Sequence, residues 1–543
     1  MAKNSVKSAQ QDFSRVVHAD IPRSTFRRPS TLVTTMDAGK LVPIYIDEIL
    51  PGDTFKMSLQ HVARLITPLV PVMDNIKLEF FAFFVPNRLV WTNWQKLQGE
   101  NQTSAWTPSS TPAGVPGVNT GNTQGEGKLG DYYGVPVGIS TTHHFVNTLP
   151  FRGYRKIWND WFRNQNVQAP LTEQSNDAAD SNLTSMNMTL LNVNKPHDYF
   201  TSCLPAPQKG ESQLIPIELN ELIPIITDAE ENFTSGSRDA VKMRYALNGV
   251  AASDGTLGVN SGNMVSNETP IAVSRFNVVP SNLWADGSGI TVNGSTISDL
   301  RTAFQIQKLY ERDARGGTRY VEMLKAHFGV DAGDYRLQRP EFLGHVSSYV
   351  DINQVEQTSE TGTTPQGNVA AYGHSQGNDF LFNKSFVEHG FLHIFAVART
   401  NKTYQQGLDR FWSRQDRLDY YLPVLAHISE QPVYTKEIYA LENNPTTVFG
   451  YQEAWSDYRY KPNRVTGQMR YNATPTFEMW HFADEYSSAP TLADAWMQDN
   501  SATNIQRILA VATGQQIKLN VRFDLEATRP IPVNSIPGMI DHF

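Results

Sequence analysis

Residues 74–91, DNIKLEFFAFFVPNRLVW, constrain the fold more than any other stretch of this chain. From Ile76 to Val85 the run is almost unbroken apolar surface. In an extended chain Ile76, Leu78, Phe80, Ala82 and Phe84 point one way, and Lys77, Glu79, Phe81, Phe83 and Val85 the other. One face is therefore buried throughout and the second only towards its end. That is the pattern of a central strand in two packed sheets whose outer face is also covered. Pro86 ends the ladder, and Asn87 is placed to cap a short helix carrying Trp91, Trp94 and Leu97. Burying such phenylalanines contributes roughly 1.5–3 kcal/mol per side chain, enough to organise a core.

The remaining pattern predicts an all-β body with large insertions. Among 543 residues, 31 Pro and 36 Gly are spread throughout, and helix-period stretches are few. Val42, Ile44 and Ile46 alternate with Pro43, Tyr45 and Asp47, an edge or bent strand. A turn at Leu50, Pro51, Gly52 and Asp53 leads to a second strand through Phe55, Met57 and Leu59. Phe391, His393, Phe395 and Val397 are apolar on both faces with their neighbours, which predicts a second central strand paired with 76–85. Ile517, Leu519, Val521 and Phe523 alternate with Lys518, Asn520, Arg522 and Asp524, a last strand with one wet face. Helices are predicted over 152–165, with Ile157, Trp158, Trp161 and Phe162 on one stripe, and over 298–329, broken at Gly316 and Gly317.

A single cysteine, Cys203, excludes a disulfide framework and a thiolate metal cage. No apolar run approaches the ~20 residues of a membrane helix, so membrane insertion is not expected. MAKNSVKSAQQ lacks the apolar segment of a secretory leader, which predicts a soluble protein of a reducing compartment, most simply a cytoplasm. The net charge is −8, unevenly distributed. Residues 1–30 hold six basic and two acidic side chains, whereas 171–300 hold fifteen acidic and six basic. The chain thus divides into a basic arm (1–30), a first part of the body (31–166) with a Gly/Pro/Thr loop at 101–148, an acidic surface insertion (167–300), and the remainder of the body (301–543). The 101–148 loop offers no core. The insertion carries strand-like pieces at 214–217, 271–279 and 290–292.

Several motifs suggest chemistry. Gly373-His374-Ser375-Gln376-Gly377 fits the G-x-S-x-G nucleophile elbow, but that motif needs a strand before the serine and a helix after it. The flanking residues supply neither, so a glycine-rich surface loop is predicted. His389 and His393 would lie about 13 Å apart on an extended segment, too far for one ion. His143 and His144 sit in a loop, and no metal site is assigned. Gly125, Gly127 and Gly130 match a dinucleotide fingerprint without its strand–helix context. Residues 455–470, WSDYRYKPNRVTGQMR, interleave aromatic and cationic side chains. That mixture suits single-stranded nucleic acid and subunit interfaces alike. The interface reading is preferred, with Trp455, Tyr458, Arg459, Tyr460, Lys461, Arg464 and Arg470 as candidates. Arg23, Arg27 and Arg28 of the arm are the candidates for facing DNA.

HADIPRSTFRRPST, AGKLVPIYIDEILPGDTF and LEFFAFFVPNRLVW resemble the N-terminal third of gokushovirus (Microviridae) major capsid proteins. Residues 383–421, FGYQEAWSDYRYKPNRVTGQMR and the ending RPIPVNSIPGMIDHF resemble the family's second half. The resemblance spans most of 18–100 and 300–543 and is weak over 101–150 and 171–300. It implies an eight-stranded antiparallel jelly roll of viral capsid type with long loop insertions and a few helices. It further implies sixty copies in a T=1 icosahedral virion shell around circular single-stranded DNA, assembled in a bacterial host cytoplasm. The implied partners are a small basic internal DNA-binding protein, a pilot protein and a host cell-surface receptor met by three-fold protrusions of the insertion. No cofactor is expected. Two alternatives stand beside it: an esterase using Ser375, and a free jelly-roll carbohydrate-binding oligomer.

Overall fold

A computed structural model describes residues 22–100, most of 114–210, short strands and one helix between 218 and 315, residues 326–328, and most of 338–534. The expectations for residues 1–21, 101–113, 214–217, 271–276, 290–291, 316–325, 329 and 535–543 lie outside the described residues. The chain divides into two compact units, one made of residues up to Pro207 and from Ala314 onward, the other Gln208–Asp313.

The first unit is built on eight strands: β1 (Ser24–Met36), β2 (Val42–Ile49), β3 (Thr54–Leu65), β4 (Ile76–Pro86), β5 (Glu341–Glu356), β6 (Val369–Ser385), β7 (Gly390–Thr400) and β8 (Ile517–Arg529). They follow the order β1-β8-β3-β6-β5-β4-β7-β2, and every neighbouring pair is antiparallel. β5 changes sheets along its length: residues 341–350 pair with β4, and 351–356 pair with β6. The result is two four-stranded layers, β1-β8-β3-β6 and β2-β7-β4-β5, joined through β5. This is the predicted jelly roll. On the opposite side β1 and β2 are edge strands, each carrying a proline, Pro29 and Pro43. Arg28 joins these edges through an ion pair with Asp47 at 2.5 Å.

β4 and β7 pair as predicted, with Phe81 opposite Phe395 and Phe83 opposite His393. Phe80 and Phe84 face the barrel interior, against His61 and Phe386. The outer face is covered by helix α1 (Leu149–Ile157) and a wider helical turn, Trp158–Phe162. Phe81 and Phe83 pack on Phe162, and Tyr154 packs on Phe395. Glu79 departs from the expected wet start of this face: it is buried, held by Lys77 and Arg399. Asn87 does not cap. Pro86 occupies that position without a side-chain hydrogen bond, and the predicted helix is two short pieces, Asn87–Val90 and Trp94–Leu97.

Three further stretches differ from the sequence reading. Part of the 101–148 loop does build core: Val118 and Leu129 are buried, and the Tyr133 ring meets Phe151 and His393 edge-on. Residues 185–207 pack with the first unit, since Met186, Met188, Leu190 and Val193 are buried in its main core. Strand β1 begins at Ser24, inside the predicted arm, because it matches β8 residue for residue from Ser24–Arg529 to Met36–Ile517.

The second unit consists of nested antiparallel pairs. Glu218–Leu219 pairs with Val292–Asn293, Ile225–Thr227 with Leu283–Ala285, and Met243–Leu247 with Asn277–Pro280. Leu257–Asn260 and Asn263–Ser266 close the innermost hairpin. The helix after it, Ile297–Arg315, matches the first half of the predicted helical region.

Candidate assembly surface

The sequence block 455–470 sits on a second, smaller core. Tyr199, Phe200, Tyr404 and Trp496 pack with Phe449 of a hairpin formed by Glu430–Tyr434 and Val448–Glu453. Trp455 follows this hairpin with φ 65°, the one non-glycine positive φ among the described residues. Its side chain is buried, and Nε1 donates to the Leu425 carbonyl at 2.8 Å. Its ring meets Tyr421 edge-on at 5.7 Å. A left-handed tryptophan is costly unless its surroundings hold it. Here the ring anchors the segment around residues 410–428.

The other candidates surround that segment. The Arg414 guanidinium lies 4.3 Å from the Tyr458 ring centroid and pairs with Asp457. Arg459 bonds Glu453 at 2.8 Å, which holds that carboxyl below its ordinary value. Tyr460 stacks on Tyr199 at 5.3 Å. Lys461 and Arg464 both lie over Phe411, at 5.6 and 5.7 Å, and Arg464 pairs with Asp409. Arg470 donates to the Gln405 carbonyl at 3.2 Å. Carboxylates thus neutralise Arg459 and Arg464, which removes free charge that a phosphate backbone would use.

Among the side chains this assembly leaves in solvent are several large apolar ones. Trp412 is 67% exposed, Leu418 70% and Val424 91%, with Phe411, Tyr420, Tyr421 and Tyr458 exposed beside them. A concentration of exposed aromatic and aliphatic side chains, ringed by paired arginines, has the composition of a protein–protein interface. Sequence reasoning missed Trp412, Leu418 and Val424. Their spacing follows neither a helical nor a strand period, and only the anchoring by Trp455 reveals a common surface.

Two of the three arm arginines are held by contacts on the barrel. Arg23 donates to the Gly52 carbonyl and, at 3.2 Å, to Thr54 Oγ1. Arg28 is taken up by Asp47. Arg27 lies opposite Glu526 on β8 and has no hydrogen-bond or ion-pair partner among the described residues.

The Ser375 motif is neither an elbow nor a surface loop. It lies within β6, and Ser375 is 2% exposed, pointing into the barrel. Its Oγ sits 2.9 Å from Ser348 Oγ and 3.3 Å from His61 Nε2. Burial lowers the His61 pKa. The strand persists through two glycines because the interior is full there: a Cβ on Gly373 would lie 2.8 Å from the Leu65 side chain, and one on Gly377 2.6 Å from the His61 ring. Serine and histidine are close, but in a closed interior without the strand–turn–helix that exposes a nucleophile. His393 is likewise a core residue, with Nδ1 2.9 Å from the Tyr133 hydroxyl. Burial pushes its pKa down to about 3.

A jelly roll carrying a broad aromatic surface beside its barrel has the architecture of a structural, self-associating protein. The chain belongs to the capsid protein (F protein) family, whose model matches residues 14–539. It is 39% identical to capsid protein VP1 of Chlamydia phage 1, with 97% of both chains covered, and 39% identical to that of Spiroplasma virus 4, again over 97% of both. VP1 of Bdellovibrio phage phiMH2K is 38% identical over 98% of both. The gokushovirus resemblance therefore holds. The protein is a structural component of a phage virion, not an enzyme, and self-assembles into a capsid shell. Neither the esterase nor the free carbohydrate-binding alternative finds support among these relatives.

Proposed function

We propose that this chain is the repeating subunit of a T=1 shell of sixty copies around circular single-stranded DNA. The observation that carries this reading is the exposed surface of Trp412, Leu418 and Val424 organised around Trp455. Each subunit would bury that surface, with Tyr458, Arg459, Tyr460, Lys461, Arg464 and Arg470 at its border, against a neighbouring copy. Closure of the rotation between copies makes a finite shell. The face of β1 carrying Arg27 would look inward. The acidic insertion would look outward and meet the host receptor. A chain of net charge −8 does not neutralise a genome, which supports a small basic internal partner. A pilot protein and assembly in the host cytoplasm complete the reading.

Sedimentation mass combined with nuclease protection on the same fraction tests it. Sixty copies of 60.9 kDa weigh about 3.7 MDa before nucleic acid. A particle of that mass with protected single-stranded DNA is the expected result. A monomer or small oligomer with no protected DNA contradicts it.

A further inference from the structure

The outer face of the β1-β8-β3-β6 sheet carries cations that no side chain among the described residues neutralises. Antiparallel register stacks its outward residues in rows across the strands. One row runs Thr35, Lys518, Arg64, His374, and another, four residues along each strand, runs Thr31, Arg522, Gln60, Asn378. The row between them is uncharged: Val33, Asn520, Val62, Gln376. These three rows hold Lys518, Arg64 and Arg522 and no carboxylate; Asp351, opposite His374 on β5, stands at the rim. Further along the face Asp524 and Glu526 balance Arg27 and Lys56.

Lys518, Arg64 and Arg522 have no hydrogen-bond or ion-pair partner among the described residues. Most other arginines of the first unit are engaged, such as Arg28 with Asp47, Arg88 with Glu388, Arg399 with Glu79 and Arg507 with Glu478. A groove of about 750 Å³ opens beside Arg522, walled by the amides of Gln60, Gln376, Asn378 and Asn520. At the end of the first row the Tyr372 and His374 rings stack at 5.7 Å, with Tyr372 exposed.

We propose that this half of the sheet face binds single-stranded nucleic acid. Lys518, Arg64 and Arg522 take phosphates, the groove amides take base edges, and the Tyr372–His374 pair takes a stacked base. Unneutralised cations select a polyanion, and amides beside an exposed ring favour unpaired bases over a duplex. The inference rests on the reading that the shell encloses single-stranded DNA, and it moves the contact from the arm to the open sheet.

The test uses the full-length chain and a labelled mixed-sequence DNA oligonucleotide of about twenty nucleotides. Arg64→Gln/Lys518→Gln/Arg522→Gln should weaken binding at least about tenfold and flatten the salt dependence by about two log units per decade, for three lost phosphate contacts. Lys56→Gln/Lys384→Gln, outside these three rows and with Lys384 already paired with Glu341, should stay within about twofold. Arg64→Lys/Arg522→Lys should keep the wild-type salt slope, and it excludes a folding defect as the cause. Unchanged binding by the triple variant overturns the proposal, as does equal loss in the double variant. Intact oligonucleotide binding with lost shell formation assigns the face to a second copy and overturns it too. Nuclease-protected DNA in particles separates the two readings. Wild-type particles without it remove the enclosure reading, whereas normal content in triple-variant particles removes only the sheet-face proposal.

Discussion

Arg399 on β7 donates from Nε to Glu79 Oε2 on β4 at 2.8 Å, while Lys77 Nζ lies 2.9 Å from the other carboxylate oxygen. Burial alone would raise the Glu79 carboxyl, but Arg399 and Lys77 outweigh it and hold the pKa below 4.5. A depressed folded pKa stabilises the fold fully above the unfolded value and loses that contribution as pH falls through the folded one. Thermal melting between pH 3 and 7 should therefore show a loss of stability below about pH 4.3 that is smaller in Glu79→Gln. Arg399→Ala should cost about 3 kcal/mol at neutral pH, since it breaks a buried ion pair and leaves Glu79 Oε2 without its cation. A melting curve for Arg399→Ala that matches wild type would contradict this.

Gly153 of α1 sits against the His393 ring, where an added Cβ would lie 2.8 Å from Nε2. In an open helix Gly→Ala gains about 1 kcal/mol. Here the methyl group has no room, and Gly153→Ala should lose about 1–3 kcal/mol. The sign of the shift in denaturation midpoint decides the matter, and an increase would show that α1 lies farther from β7.

Ser375→Ala removes one member of the Ser375–Ser348–His61 cluster. It should lower stability by about 1 kcal/mol, as for a typical buried hydrogen bond. Ester hydrolysis by purified protein should stay at background before and after the change. Hydrolysis that disappears with Ser375 would reverse the assignment of this cluster to the core.

Val424→Asp and Trp412→Ala change exposed side chains, so the isolated subunit should keep its stability within about 0.5 kcal/mol. Each should nevertheless remove shells from a sedimentation profile, because truncating a central interface anchor costs about 2 kcal/mol or more. Normal shell yield from Val424→Asp would place the assembly contact elsewhere.

Legibility in the sequence followed what each strand buries. β4, β7 and β8 were readable because their inward residues are large and apolar at period two, as in Ile517, Leu519, Val521 and Phe523. β6 was hidden because around the His61 cluster its inward positions are Gly373, Ser375, Gly377 and Asp379, which match turn chemistry rather than a core. β1 was hidden for a related reason: STFRRPST lacks an apolar stripe, and only the register with β8 makes it a strand. The aromatic–cationic block was visible as a composition, but its partner segment was not. The anchoring of residues 410–428 by Trp455 is a tertiary contact with no sequence period. The free cations of β3 and β8 were visible only as the wet half of an alternation until pairing across four strands aligned them.

The prolines of the two edge strands bear on how copies join. Pro29 on β1 and Pro43 on β2 each lack the N–H that an added strand would need, and each ring obstructs its approach. Growth by sheet extension is open-ended and leads to fibrils. Blocking both free margins leaves side-chain contacts of fixed angle as the route by which many crowded copies come together. The two prolines thereby favour a closed container over strand-by-strand growth.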